Sequence, residues 1–475
     1  MKGTLPIPRA PWQSCESRGW TQLQTKRRYS IELGKMLQNG PSQHDDTEVP
    51  YLKAQHVQWD RVRVSEASRM WASPTEIETL RVRKGDLLVC EGGEVGRAAV
   101  VQEEPPEDCI IQNALHLVRS RKGGEVRFLA YLLRHAATSG WFDVLCNRAT
   151  IAHFTGDKFG EMWIWTPDLP EQVAIADFLD RETARLDSLV AEKERLLELL
   201  AEKRRALITH AVTHGLFGVH ALACELGLPS SGVRFGAPTL AHESKAEHPK
   251  GWTPNFRDSS LPWLGQIPAH WRTERSKWLF KERDERSEND EGEMLTVSHL
   301  TGVTPRSEKE VNMFEAETTE GYKICRKGDL AINTLWAWMG AMGISPCDGI
   351  VSPAYNVYVP GPELLGAYVD ALVRIPRFPQ EVIRYSKGVW SSRLRLYPEG
   401  FFQVWLPVPP LDEQHAIVAH IAAETAKLDA LRASAERTMA LLKERRAALI
   451  AAAVTGKITV QPTGDSGKRN AEYEN

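Results

Sequence analysis

The chain carries one long helix twice. Residues 169–189 read LPEQVAIADFLDRETARLDSL and residues 411–431 read LDEQHAIVAHIAAETAKLDAL, aligned without a gap at an offset of 242. The match runs on to RRALITHAVT (204–213) and RAALIAAAVT (446–455), and neither proline nor glycine interrupts either copy after its opening. Each copy is expected to form a single helix of about 40 residues, roughly 60 Å long at about 1.5 Å per residue. Gly215 and Gly456 follow as stops. In the first copy Ile175, Leu179, Leu186, Leu189, Leu196, Leu200 and Leu207 alternate steps of three and four, with Glu182, Lys193 and Lys203 filling the seam. The second copy has Ile417, Ile421, Leu428, Leu431, Leu442 and Leu449, with Ala435 and Thr438 in the seam. A stripe of this spacing packs lengthwise against another helix, and two matched stripes offer each other a partner.

The duplication reaches upstream. FGEMWIWTPDLPEQ (159–172) and FFQVWLPVPPLDEQ (401–414) both run from an alternating aromatic segment into prolines and then Glu-Gln. A strand is expected there, and the prolines forbid its continuation, so the chain turns into the helix. RVRKGDLLVCEGG (81–93) and KICRKGDLAINTL (323–335) share Arg-Lys-Gly-Asp-Leu, a turn feeding an apolar strand. The expected plan is a globular domain at 1–168, a helix at 169–216 and a connecting segment at 217–256 containing a short helix near 219–226. A second globular domain at 257–410, a helix at 411–458 and a disordered tail at 459–475 complete it. The expected fold class is α/β (α+β), a pseudo-two-fold internal repeat of a globular domain followed by a long helix.

At 475 residues more than one core is expected. No stretch approaches the roughly 18 apolar residues of a membrane span, and the start MKGTLPIPRAPW lacks the apolar core of a signal peptide. Seven scattered cysteines, with no CxxC pair, argue against a disulfide framework or zinc site and fit the cytoplasm. A net charge of −3 requires that any surface for nucleic acid be local.

Taken in order, the paired Leu-x-Glu-Gln helix starts, the Arg-rich helix ends leading to Ala-Val-Thr, the KGDL turns at 84–87 and 327–330, and LPWLGQIPAHW at 261–271 resemble the specificity subunit of type I restriction–modification systems. The resemblance spans roughly 30–216 and 257–458. It implies that each globular half is a target-recognition domain reading one half of an asymmetric, split DNA target. It also implies that two long antiparallel helices, paired as a coiled coil, separate the two globular domains, set the gap and bear methyltransferase subunits, expected to number two, with restriction or translocase subunits as further partners. The chain itself would be no enzyme and hold no cofactor or metal. S-adenosylmethionine, ATP and Mg would be used by the partners.

The residues agree on the absence of chemistry. No Asn-Pro-Pro-aromatic motif is present, since the Pro-Pro pairs at 105–106 and 409–410 lack the asparagine, and there is no GxxxxGK[ST] loop. Phosphate contacts require Lys and Arg, and base reading favours Arg, Lys, Asn and Gln. The strongest basic run is 374–395, where Arg384, Lys387, Arg393 and Arg395 lie with Ser391. Its counterpart in the first half holds Asn147 and Arg148, and Arg119, Arg121 and Lys122 form a second cluster. These are the DNA-binding candidates. Trp336 and Trp338 are expected in the core, given the strand pattern around them. The segment 169–213 has nine Asp/Glu against seven Lys/Arg, so it is expected to meet protein rather than DNA. Glu171, Gln172, Arg185, Arg195 and Arg204, with Glu413 and Gln414, are the candidate subunit contacts on an exposed face. A two-headed coiled-coil scaffold without DNA specificity is the alternative, and it predicts no salt-sensitive binding to duplex DNA.

Overall fold

A computed structural model describes residues 19–146, 153–225, 255–288, 292–308, 320–389 and 393–460. The chain divides into two compact units. Unit 1 comprises residues 1–194 and 436–475, and unit 2 residues 195–435, so each long helix begins in one unit and ends in the other.

Unit 1 is built on a four-stranded antiparallel sheet ordered Tyr29–Leu33, Leu115–Ser120, Leu87–Cys90, Ala98–Val100. The strand Leu87–Cys90, fed by the first KGDL turn, is buried along its whole length. Alternate residues serve two cores, Leu87 and Val89 one and Leu88 and Cys90 the other, as a strand covered on both faces requires. Helix Val126–Thr138 lays Phe128, Leu129, Leu132 and Leu133 into the first of these cores. Strand Trp163–Thr166 pairs with Thr21–Gln24 and leads through Pro167 into the first long helix, Leu169–Glu225. Ile175 and Leu179 from the start of that helix share the core with Ile450, Ala453 and Val454 from the end of the second.

Unit 2 repeats the plan. Its sheet runs Phe280–Arg283, Tyr355–Pro360, Leu330–Asn333, Met342–Ile344, again all antiparallel. Leu330 and Ile332 face one core and Ala331 the other. Strand Trp405–Val408 pairs with Arg272–Arg275 and passes through prolines into the second long helix, Leu411–Val454. Ile417 near its start shares a core with Ala211 and Val212 near the end of the first.

The KGDL turns do the same work in both units. Gly85 and Gly328 adopt φ of +90° and +93°, which glycine tolerates. Asp86 caps the amide of Arg83, and Asp329 that of Arg326, each at 2.8 Å. A bidentate arginine then clamps each aspartate, Arg119 from the neighbouring strand in unit 1 and Arg283 from the edge strand in unit 2.

The stops differ from expectation in one copy. Gly456 sits at φ +71° just beyond Val454, whereas Gly215 (φ 68°, ψ −172°) only interrupts its helix, which resumes to Glu225. The expected seam is also uneven: Ile175, Leu179, Leu186, Ile417 and Leu428 are buried, while Leu189, Leu196 and Leu431 are exposed.

Beside Gly215, His210 and His214 stack at 4.5 Å. Burial pushes His214 down to about 4, and the charges of His210 and Arg377 add to the effect. The unfolded chain takes up this proton near the ordinary value of about 6.5, so the folded unit loses stability as pH falls from about 6.5 towards 4. Allowing for solvent screening at this half-buried site, the loss is about 1–2 kcal/mol. His214→Asn is expected to flatten thermal stability across that window, and an unchanged profile contradicts the assignment.

Candidate nucleic-acid interface and helix docking surface

The Glu-Gln pair that opens each long helix is the joint between head and helix. Gln172 is fully buried. Its amide nitrogen donates to Gly123 O and Pro167 O, and its oxygen accepts from Glu125 N at 3.0 Å. Gln414, also fully buried, donates to Glu363 O and Pro409 O and accepts from Leu365 N at 2.8 Å. Both glutamines were expected on an exposed face; each is instead consumed by three backbone groups of its own head. The preceding glutamates complete the joint. Glu171 accepts from the buried Trp20 indole at 3.2 Å, and Glu413 from Trp271 at 3.0 Å and His270 at 2.8 Å. The sequence signal was there, since Glu-Gln recurs at the offset of the repeat, but the need for a buried amide could not be read from spacing.

The other helix candidates lie on the surface. Arg185 and Arg195 are exposed. Arg204 is half-buried and pairs with Asp429. In unit 1, Arg446 pairs with Asp187 at 2.9 Å and with Asp60 at 2.6 Å. Asp187 and Asp429, and Arg204 and Arg446, are equivalent positions of the repeat. A cleft of about 420 Å³ lies where the first head meets the helices of unit 1. Its carboxylates are all engaged, Asp60 by Arg134 and Arg446, Asp180 by Arg127 and Tyr131, and Asp187 by Arg446. It is a seam between elements, and nothing in the sequence pointed to Asp60.

The basic candidates separate into those occupied by the fold and those left free. Arg119 is occupied by Asp86 and by Arg81 O. Arg121 and Lys122 are exposed in the turn after strand Leu115–Ser120, next to Gly123 at the joint with the helix. The 91–97 turn lies at the opposite end of that strand, where Phe154 N donates to Glu91 O. Asn147, Arg148 and Ser391 themselves lie outside the described residues.

In unit 2 helix Phe378–Tyr385 buries Phe378, Glu381 and Val382. Arg384, one turn after the fully buried Glu381, pairs with it at 2.8 Å. A backbone-paired hairpin follows, with Lys387 and Arg395 exchanging both hydrogen bonds at 2.9 Å. Lys387 is exposed and reaches Glu399 at 3.0 Å. Arg393 is exposed and Arg395 half-buried, and neither has an ion partner among the described residues. These last two are the cations best placed to meet phosphate.

Alanine variants should separate the roles. Arg393→Ala is expected to weaken duplex binding and reduce the salt slope by about one unit, and Lys387→Ala to do so by less because Glu399 already faces its charge, with thermal unfolding unchanged in Arg393→Ala. Arg384→Ala leaves a buried carboxylate unpaired and is expected to cost about 2 kcal/mol of stability, below the range for a fully buried pair. Unchanged affinity and salt slope in both Arg393→Ala and Lys387→Ala would refute the phosphate assignment.

One expectation is reversed. Trp336 is 50% exposed and Trp338 half-buried, on a turn rather than in the core. The apolar strand before them ends at Asn333; Trp336 caps the 3-10 turn Ala337–Met339, and Trp338 lies within it.

Residues 34–199 match the family described as type I restriction modification DNA specificity domain. No protein of curated function matches the chain. The fold is similar to that of a chain in a solved structure concerned with complex assembly and conformational transition of the type I R-M system. That likeness has TM-score 0.57 and 16% identity, covering 93% of this chain and 99% of the other. It is similar also to the HsdS subunit from Thermoanaerobacter tengcongensis, with TM-score 0.52 and 16% identity over 93% and 98% of the two chains. At such identity the likeness establishes the fold. Among the described residues no helix is long and apolar enough to cross a membrane, and no group of His, Cys, Asp and Glu could hold a metal. Residues 34–199 thus match the DNA specificity domain of type I restriction–modification systems, and the fold that holds them is similar to that of an HsdS subunit.

Proposed function

We propose that the chain supplies the DNA address of a type I restriction–modification complex. Each head reads one half of a split, asymmetric target, and the two helices pair antiparallel as a coiled coil that sets the unread gap. Methyltransferase subunits dock on the helices, and restriction or translocase subunits join through them. The chain performs no chemistry in this reading; the partners use S-adenosylmethionine, ATP and Mg.

The observation that carries the reading is the matched pair of ion contacts between the helices. Arg446 meets Asp187 within unit 1, and Arg204 meets Asp429 within unit 2. Two equivalent contacts at equivalent positions are what an antiparallel pair of repeated helices requires. The exposed leucines support docking of protein on the helices: Leu189 and Leu441 in unit 1, and Leu196, Leu199 and Leu431 in unit 2. The heads differ in sequence, so the half-sites differ too.

Selection from a pool of random 45-base-pair duplexes, with the chain bound to its methyltransferase subunits, tests this. The expected product is two short, unlike specified segments at one fixed spacing, bound with steep salt dependence. Salt-insensitive binding or no enrichment would favour the scaffold without DNA specificity.

A further inference from the structure

The turn joining strands Leu330–Asn333 and Met342–Ile344 presents an aromatic pair that lies outside the hydrophobic cores. The rings of Trp336 and Trp338 lie within 24° of parallel with centroids 6.3 Å apart, and Met339 beside them is exposed. The turn holding them is stiff. Asn333 Oδ1 accepts from Leu335 N, Met339 N donates to Trp336 O, and the Trp338 indole donates to Leu335 O. Gly340, at φ +89°, closes the turn. A large apolar surface held out by a rigid support is a contact surface rather than a packing error.

Its surroundings select the partner. Leu396 N donates to Thr334 O, tying the turn to the hairpin that carries Lys387, Arg393 and Arg395. Helix Phe378–Tyr385 packs on the other side of the turn. The pair thus stands on a turn hydrogen-bonded to a hairpin that carries three cations, two of them without ion partners among the described residues. Exposed flat rings on the same support as cations complement a stack of bases flanked by phosphates. The corresponding turn of the first head, residues 91–97, reads EGGEVGR and carries no aromatic ring.

We infer that Trp336 and Trp338 form a wedge that stacks against bases of duplex DNA, opening a base step in the half-site read by the second head. The inference rests on the DNA-address reading and adds to it a deformation that only one head imposes. Specificity at that step would come from how readily it unstacks, without a hydrogen bond to a base edge.

The test uses the full chain with its methyltransferase subunits and the duplex enriched by the wild type, carrying 2-aminopurine at each position of the half-site in turn. The wild type is expected to raise fluorescence at one step only. The double variant Trp336→Ala/Trp338→Ala loses the Trp338–Leu335 hydrogen bond and should unfold only slightly below the wild-type temperature, with the fold retained. It should bind about ten- to a hundredfold more weakly, keep the salt slope and lose the fluorescence rise. Trp336→Phe/Trp338→Phe should restore most of both. Wild-type affinity and fluorescence in the alanine variant overturn the wedge. So does a variant that binds DNA normally but no longer retains its methyltransferase subunits, which would make the pair a protein contact. Absence of any enriched duplex with the wild type overturns the DNA reading itself, and the wedge with it.

Discussion

Gln172→Leu unfolds unit 1, and Gln414→Leu unfolds unit 2, far more readily than any surface change on the same helices. Leucine fills nearly the same volume but offers nothing to three backbone groups. In unit 1 these are Gly123 O, Pro167 O and Glu125 N; in unit 2 they are Glu363 O, Pro409 O and Leu365 N. Each such group costs about 1–3 kcal/mol when buried without a partner and less where it is partly exposed, so each substitution is expected to remove about 3–6 kcal/mol. A domain is stable by only about 5–15 kcal/mol, so the affected unit should melt early and become open to protease while the other persists. Glu171→Gln, which keeps an acceptor for the Trp20 indole, should change stability by less than about 1 kcal/mol. The experiment also decides between two uses of the glutamines. A Gln172→Leu chain that melts like wild type but releases its methyltransferase subunits would restore the role of surface contact and contradict the clamp.

Much of the fold was legible because the repeat was. Glu-Gln after prolines at two places 242 residues apart marked both helix starts, and the structure begins its helices at Leu169 and Leu411. Arg-Lys-Gly-Asp-Leu, weak alone, marked the central strand of each sheet when read in register. What stayed hidden depended on contacts between distant segments. The arginine clamping the KGDL aspartate comes from the neighbouring strand in one unit and the edge strand in the other, so no common spacing reveals it. Gln172 and Gln414 look like ordinary helix-surface residues until the carbonyls that surround them are in place.

The candidate site was less legible. A run of cations in sequence says nothing about which are neutralised by the fold. Arg119 and Arg384 serve Asp86 and Glu381, whereas Arg393 and Arg395 remain available. The strand pattern around Trp336 and Trp338 suggested the core; the strand ends at Asn333, and beyond it Trp336 is exposed and Trp338 half-buried.

The second large effect concerns the proposed ruler. Removing residues 190–196 and 432–438 takes one heptad from each helix between Asp187 and Arg204 and between Asp429 and Arg446, so both ion pairs survive. Two whole turns of a coiled-coil seam are lost, and the apolar face stays in phase. Seven residues at about 1.5 Å each shorten the rod by about 10 Å, or about three base pairs at about 3.4 Å. Three base pairs also turn one half-site about 100° around the duplex relative to the other. The DNA must absorb that rotation by twisting, so the new site should be bound more weakly than the old one was. On the original target each head can be seated only alone, and recognition should fall by about a thousandfold or more, towards the level of non-specific binding.

Mapping methylated adenines in cells that express the methyltransferase subunits with either the wild-type chain or this shortened chain tests the central claim most directly. The prediction is one pair of unlike half-sites common to both maps, separated by a fixed gap that is about three base pairs shorter for the shortened chain. An unchanged gap, or half-sites whose bases change with the deletion, would contradict the account of two separate readers held at a distance set by paired helices.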